Sequence, residues 1–505
     1  MRTTYTAQEL LALLPRHIRY RQLQGCGHAD RRPLRSLCVD SRRAGEDSLF
    51  ICLCGFMTDG HEYAAAAYAA GCRCFVICHA LPTPLPEDAY VYLVDDTREA
   101  QAQLAEIFYD YPSKALTLVG ITGTKGKTTT AMIAYSLLCR LGLKAGYIGT
   151  DGVRYGTHHE QTRNTTPDSP ELRRIFRDMA DRGVRVVVME ISSQSVWQKR
   201  LLGLRFAVGA FTNLSPDHIS PTEHPDFEHY FACKHAFLTD YCTGTVLLNA
   251  DDAHTAAMSE DIFVAVRRFS TGAREDGCAD ELCPAWSDGT PGMAFTYWEN
   301  SMGTPVHLPM PGAYNVSNAL CALGIIKALG YAPTAAIPHL RDVTVPGRFE
   351  LAPAPRGCLC IIDYAHNGMS LTTVLRDLRT YTEGRLLCLV GSVGGRTQLR
   401  RRDLGEAAAT LADLTVFTAD NPDREDPEDI CREMAQVHRE RGLDNYVIIP
   451  DRAEAIRAAL RMMHEGDVLL LAGKGSERYQ RVDGVDIPFS ERDILAEAVA
   501  DILPV

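Results

Sequence analysis

Short apolar runs alternate along this chain with stretches whose apolar residues recur at helical spacing. Between Asp40 and Thr97 the runs SLFICLC, CRCFVIC and YVYLVDD bracket the helix-like EYAAAAYAA, a rhythm that predicts a small α/β domain. The helical run REAQAQLAEIFYD is cut off at Tyr111-Pro112-Ser113, and LTLVGIT opens a new strand directly after it. Further strands are predicted at VRVVVMEIS, FAVGAFTNL and GTVLLNA, followed by a polar, β-rich excursion over residues 271–303. The segment Pro346–Glu350 (PGRFE) marks the next boundary. Beyond it CLCIIDYA, RLLCLVGS, LTVFTADN, NYVIIP and DVLLLAGKG run out into Gly, Asp or Asn with helices between them, as in a doubly wound sheet whose sites gather at the strands' carboxyl ends. The fold class is therefore α/β in three domains, at residues 1–112, 113–345 and 346–505, the last Rossmann-like and the middle one, on the glycine-rich GITGTKGKT that follows its first strand, of P-loop ATPase type.

Length agrees with this division, since 505 residues make roughly three ordinary domains. A net charge of −12, from 52 basic and 64 acidic residues, argues against a general polyanion-binding surface, so nucleic acid is not expected as a partner. No apolar run reaches the roughly 20 residues of a membrane span, and the N-terminus lacks a signal peptide's three-part pattern; a cytoplasmic protein is expected. Seventeen cysteines, an odd number in a long chain, fit free thiols better than a disulfide framework. Cys52/Cys54, Cys72/Cys74 and Cys358/Cys360 stand two apart in strand-like runs and are expected to be small core residues. Cys278 and Cys283 fall short of a zinc pattern.

The strongest chemical signal is LTLVGITGTKGKTTT, a strand entering a glycine-rich turn that opens a helix. Gly120, Gly123 and Gly126 let backbone N–H groups close on phosphates. Lys127 supplies a point charge between β and γ, and Thr128 offers a hydroxyl to Mg²⁺. Thr122, Thr124, Lys125 and Thr129 belong to the same loop. The spacing departs from the common phosphate loop because Ile121 takes the first glycine position. Glu190, at the end of a buried strand, is the kind of carboxylate that holds Mg²⁺ near a triphosphate. Taken alone, His218 and Lys234 are more often ordinary core or surface residues.

After the loop come NTTP, MEISSQSVWQKR, FTNLSPDH and YFACKHAF, then MPGAYNVSN, PGRFE, IIDYAHNG, TADNPDREDP and GKGSERYQ. In order and wording these resemble the Mur ligases, most closely the E-type, the UDP-N-acetylmuramoyl-tripeptide synthetases of peptidoglycan synthesis. The resemblance covers most of the chain and implies an ATP-consuming, ADP-forming acid–amino-acid ligase serving cell-wall growth and division. Its partners are a UDP-muramoyl dipeptide and a diamino acid, its cofactors ATP and two Mg²⁺ ions, and its expected state is a monomer.

Carried over by motif, the resemblance makes the first domain UDP-binding and places Ser41, Arg42 and His61 near uracil or diphosphate. It assigns Asn164, Thr165, Thr166, Ser192, Gln198 and Arg200 to the rest of that substrate. Glu190 and His218 match magnesium ligands, and Lys234 a lysine that becomes a carbamate ligand for the second ion. Lys127, Lys234, Glu190 and His218 thus form the catalytic set. Asn315, Asn318, Arg348 and Asp363 match nucleotide contacts. Arg396, Asp420, Asn421, Asp423, Gly473 and Glu477 match the amino-acid pocket.

Relatives that add diaminopimelate read DNPR where this chain reads DNPD. Asp423 in place of arginine favours a distal ammonium over a carboxylate, so lysine or ornithine is the expected amino acid, with diaminopimelate the alternative if Arg424 swings in. Gln194, where the family has histidine, and GGRTQLRRR are further departures, compatible with a paralogue taking another group. Rival readings are a folylpolyglutamate synthetase, an isoglutaminyl-forming relative whose four-cysteine ribbon is absent here, and a non-catalytic nucleotide-binding regulator.

Overall fold

The structure is a computed structural model that describes residues 5–25, 32–55, 58–220, 223–275, 277–395 and 398–502. It forms two compact units, residues 1–270 with 317–337 and residues 271–316 with 338–505.

The first unit holds two sheets. One has five strands in the order Tyr20–Gln24, Tyr90–Val94, Cys74–Ile77, Ser48–Ile51 and Ser36–Cys38, parallel except for the first pair. The other has eight, in the order Ala265–Phe269, Cys242–Asn249, Phe206–Phe211, Thr117–Thr122, Val186–Glu190, Ala145–Gly149, Gly152–Tyr155 and His158–Glu160. The first six are parallel. Parallel strands are covered on both faces and so read as continuous apolar runs, which is why VVVME is buried at every position. Thr117–Thr122 lies in the middle, where later strands add on either side; this switch point leaves a crevice at its carboxyl end. The final two strands form an antiparallel hairpin that the apolar pattern did not reveal, because its residues alternate too briefly to stand out.

In the second unit, Ala279–Ser287, Thr290–Glu299 and Met302–Leu308 make an antiparallel meander, in keeping with the β-rich excursion expected there. The main sheet runs Glu350–Ala352, Leu359–Asp363, Val468–Ala472, Leu386–Val390, Leu414–Phe417 and Tyr446–Ile448, all parallel but the first. Insertion of the last strand, Val468–Ala472, beside Leu359–Asp363 brings the ends of four strands around one crevice. A ribbon, Tyr479–Val482 with Val485–Pro488, follows it.

Every described cysteine is a free thiol. The expectation that paired cysteines are core residues holds for Cys52, Cys72, Cys74 and Cys360, but Cys54 is exposed and Cys358 half-buried. Both of these lie just outside a strand, where the two-residue alternation no longer decides which way a side chain faces. No helix among the described residues is long and apolar enough to cross a membrane.

Candidate active site

The glycine turn leaves Thr117–Thr122 and enters the helix Lys127–Arg140, with Gly123 at φ 145° and Gly126 at φ 82°. Side chains are excluded at both: a Cβ would sit 2.0 Å from Thr212 Oγ1 or 2.3 Å from Asn318 Oδ1. Gly120 has a different reason to be glycine. It lies inside the strand, and a Cβ there would run into the Phe237 ring at 2.4 Å, so it makes room for packing rather than for phosphate. Thr122 likewise turns inward, its Oγ1 donating to Ile191 O.

The loop is held open by its neighbours. Thr124 N–H donates to Asn213 O at 2.8 Å and Lys125 N–H to Asn213 Oδ1 at 2.9 Å. Lys125 also pairs with Asp217 at 3.2 Å. Lys127 Nζ donates to the carbonyls of Gly123 and Thr124, and Lys234 Nζ reaches Gly123 O from the helix Phe227–Ala236. Lys234 is fully buried, and burial together with the charge of Lys127 holds its pKa well below that of an ordinary lysine.

Glu190 ends its strand with no exposed surface. Its Oε2 accepts from Thr128 Oγ1 at 2.9 Å, and its Oε1 accepts from Tyr147 O–H at 2.7 Å and Thr150 N–H at 2.9 Å. Gly149 makes room for it, since a Cβ there would sit 2.1 Å from Oε1. Burial beside this carboxylate pushes the Tyr147 hydroxyl well above its usual pKa, so Tyr147 stays a donor. A buried carboxylate beside a threonine hydroxyl is an all-oxygen donor set, which suits Mg²⁺. Tyr147 and Thr150 were not singled out from sequence; no motif marks a residue that acts only by holding another. His218 takes a different course from Glu190. It is half-exposed in left-handed backbone, with Nδ1 3.0 Å from Glu223 Oε1.

Around the strand end, Thr166 Oγ1 donates to Glu190 O and accepts from Ser192 N–H. Arg200, nearly buried, donates to Thr166 O and Gln198 Oε1 and pairs with Asp168 at 2.9 Å. Thr165 meets Thr150, with Asn164 in the adjoining bend. Four of the residues assigned to the acceptor thus form one hydrogen-bonded patch beside Glu190. Ser41 and Arg42 open a short 3-10 turn; Arg42 is exposed and bound to Asp40, whose carboxyl it pulls down to about 2. His61 is buried instead, its Nδ1 2.6 Å from Asp59.

Asn318 Oδ1 accepts from Thr130 in the helix that follows the phosphate loop, and Thr129 is buried beside it in that helix. In the second unit Asn315 donates to Pro311 O. There Arg348 lies over the Tyr364 ring at 4.4 Å. Asp363 accepts from Phe349 and Ala365 N–H, and burial raises its pKa.

Within the second unit a cavity of about 420 Å³ opens among the strand ends, lined by Asp420, Asn421, Asp423, Gly473 and Glu477 as expected, together with His366, Arg400, Tyr479 and Arg481. Lys474, fully buried and absent from the sequence-based set, donates to Asn421 Oδ1 and Glu477 Oε2 and lies 3.6 Å from Asp420. Its position inside a glycine-rich stretch gave no sign that it would turn inward to balance these acids. Asp423 is in left-handed backbone and accepts Gly484 N–H at 2.7 Å, which ties it to the turn of the ribbon. Arg424 is exposed and is not among the lining residues. Arg396 lies outside the described residues.

Three family profiles match in order: the Mur ligase family catalytic domain at residues 33–109, the Mur ligase middle domain at 121–326, and the Mur ligase glutamate ligase domain at 347–475. The chain is 36% identical over 475 residues to a UDP-N-acetylmuramoyl-L-alanyl-D-glutamate–2,6-diaminopimelate ligase of Geobacillus kaustophilus, covering 92% of this chain and 95% of that one. The chain belongs to the Mur ligase family. A ligase with the same printed name from Chlorobaculum tepidum is 36% identical over 494 residues, with 94% of each chain covered. The same fold is found in a solved structure of a ligase so named, at TM-score 0.65 and 24% identity over 99% of this chain and 100% of the other. A MurF from Acinetobacter baumannii has it at TM-score 0.67 and 19% identity, with 99% of each chain covered. This ligase is thus an acid–amino-acid ligase of the ADP-forming kind, with the α/β architecture of its family.

Proposed function

We propose that this ligase uses ATP to join 2,6-diaminopimelate to UDP-N-acetylmuramoyl-L-alanyl-D-glutamate, a step in making the peptidoglycan precursor. The reading is carried by one observation: Lys127 of the phosphate loop and Lys234 of the helix Phe227–Ala236 both reach Gly123 O, while the helix after the loop hands Thr128 to the buried Glu190. That is a site for gathering phosphate charge.

In the proposed reaction an oxygen of the D-glutamate γ-carboxylate attacks the γ-phosphorus, the bond to the β–γ bridging oxygen breaks, and ADP leaves. The amine nitrogen of the incoming amino acid then adds to the acyl carbon. Collapse of that adduct expels phosphate, and the amine's proton passes to it. Lys127 neutralises the γ-phosphoryl oxygens. Thr128 and Glu190 would hold Mg²⁺, which supplies charge neutralisation at the β- and γ-phosphates. Lys234 is proposed to become a carbamate, serving with His218 toward a second ion; the neutral amine, the form that combines with CO₂, is favoured by its burial. Thr166, Ser192 and Arg200 orient the acceptor. The division into a UDP-binding domain at 1–112, an ATP domain at 113–345 and an amino-acid domain at 346–505, and action as a cytoplasmic monomer, belong to the same proposal.

For the incoming amino acid, 2,6-diaminopimelate is favoured over lysine or ornithine. Relatives named for it are 33–36% identical across more than nine-tenths of this chain. Asp423, the residue that favours lysine, has its carboxylate bound to Gly484 N–H, while Arg400 and Arg481 add guanidinium groups to the same cavity. A cavity lined by both acids and guanidinium groups matches a substrate that carries ammonium and carboxylate at each end. The test offers the purified protein ATP, UDP-N-acetylmuramoyl-L-alanyl-D-glutamate and a panel of diamino acids, then weighs the products. Diaminopimelate should be preferred; a lysine product alone would reverse the choice, and no ADP release with any amino acid would return the chain to a nucleotide-binding regulator.

A further inference from the structure

In the five-stranded sheet, Ser48–Ile51 and Cys74–Ile77 are parallel neighbours, and each runs out at its carboxyl end into a cysteine, Cys54 and Cys78. Their Sγ atoms lie 3.6 Å apart, far outside the roughly 2.0 Å of a disulfide bond. His61, on the 3-10 turn Gly60–Tyr63, brings Nε2 to 3.8 Å from Cys78 Sγ. His79 stacks on His61 with ring centroids 3.6 Å apart. Four donor atoms, one from each residue, all lie within 4.8 Å of one another.

These separations have a physical meaning. A tetrahedral zinc ion with bonds of about 2.3 Å to sulfur and about 2.0 Å to nitrogen sets its ligands roughly 3.8 Å apart for two sulfurs and roughly 3.5 Å apart for sulfur and nitrogen. The sulfur pair and the Cys78–His61 pair are within a few tenths of an ångström of those values.

The surroundings fit as well. Asp59 Oδ1 sits 2.6 Å from His61 Nδ1, and Asp59 Oδ2 sits 2.8 Å from His79 Nε2. One carboxylate therefore holds both imidazoles; behind His61 this is the arrangement that usually backs a metal-ligating histidine and fixes which nitrogen keeps its lone pair, whereas His79 Nδ1 faces Ala80 O at 3.0 Å, and His79 would leave that carbonyl and turn its ring to ligate. For His61 that nitrogen is Nε2, which accepts the Cys78 N–H at 3.1 Å and would exchange this bond for a metal. Arg98 Nη2 donates to Cys54 O at 2.8 Å, anchoring the exposed end of the cluster.

We infer that Cys54, Cys78, His61 and His79 form a site for a thiophilic divalent cation, Zn²⁺ by ligand type, that clamps the two strand ends of the N-terminal sheet together. Two thiolates and two imidazoles select zinc over magnesium, whose hard character calls for oxygen. The site stands apart from Glu190 and Thr128 in its donors, and it has no part in phosphoryl transfer. It also gives His61 an occupation other than contact with the UDP group.

The test titrates the reduced whole protein with Co²⁺, which reports thiolate ligation by a near-ultraviolet charge-transfer band and tetrahedral geometry by strong visible bands. Both should saturate at one equivalent and disappear when Zn²⁺ is added. Cys54→Ser and Cys78→Ser should each abolish the charge-transfer band or cut it by about half. Cys233→Ser should leave it intact, although Cys233 lies with His224 and His229 in a second histidine–cysteine group. Because Cys54 is exposed, its serine variant should fold, and Zn²⁺ should raise the melting temperature of the parent but not of this variant. The inference is overturned if fully reduced protein gives no thiolate band, if the band survives Cys54→Ser and is lost in Cys233→Ser, or if peptide mapping finds Cys54 and Cys78 joined in protein that takes up no metal after reduction.

Discussion

Lys127 and Lys234 donate to the same acceptor, the carbonyl oxygen of Gly123, at 2.9 and 2.7 Å. Burial, and after it the charge of Lys127, holds the pKa of Lys234 well below that of an ordinary lysine. Lys127→Ala should lower the rate of ADP formation by roughly 10²–10³-fold, the usual loss when a preorganised charge-stabilising group is removed. Steady-state ADP release measures this, and a rate within threefold of the parent would remove the basis of the proposed mechanism.

Lys234, enclosed and with its pKa held down by burial, should take up CO₂. Protein exchanged into carbonate-free buffer should lose activity and regain it with bicarbonate, and isotope-labelled bicarbonate should give a carbamate carbon resonance that is missing from Lys234→Ala. Activity indifferent to bicarbonate, with no such resonance, would exclude the modification.

Glu190 is held by donors from Thr128, Tyr147 and Thr150. Replacing it with alanine leaves buried donors unpaired, at a cost of about 1–3 kcal/mol in stability, and removes the proposed Mg²⁺ ligand. Urea denaturation should show the loss of stability. The Mg²⁺ concentration needed for half-maximal activity should rise at least tenfold in Glu190→Gln, which keeps the volume but not the charge.

Arg481 lines the cavity proposed to take the amino acid and pairs with Asp486. If it holds a substrate carboxylate, Arg481→Ala should raise KM for diaminopimelate by about 10–100-fold, as expected for one charge-assisted hydrogen bond. kcat should change little. An unchanged KM would move the distal contact to Arg400.

Asp377 offers a pH test of stability. Burial lifts its carboxyl to about 6, against a hydrogen bond from Tyr314 that acts the other way. Its folded pKa lies above the unfolded value, so the folded state binds the extra proton between pH 4 and 6, and stability falls as pH rises through that window. Asp377→Asn should stabilise the protein by roughly 1–3 kcal/mol at pH 7.5 and much less at pH 4.5, read from denaturation midpoints at the two pH values.

The sequence by itself determined the α/β class, the central strands and the phosphate loop. Buried parallel strands such as Val186–Glu190 must be apolar throughout, and a turn that wraps phosphate must carry glycine where a Cβ would collide, as at Gly123 and Gly126. It also singled out Glu190, the proposed Mg²⁺ ligand, because a lone carboxylate at the end of such a strand stands out. What only the tertiary structure decided is which groups meet. Tyr147 and Thr150 come to Glu190, and Lys474 turns inward to Asp420 and Glu477. Asp423 is taken up by the ribbon turn at Gly484 rather than left free in the pocket. Cys54 leaves the core to stand 3.6 Å from Cys78. These are relations between segments distant in sequence, or between neighbours outside regular strands, and neither a spacing of two nor one of 3.6 residues carries information about them.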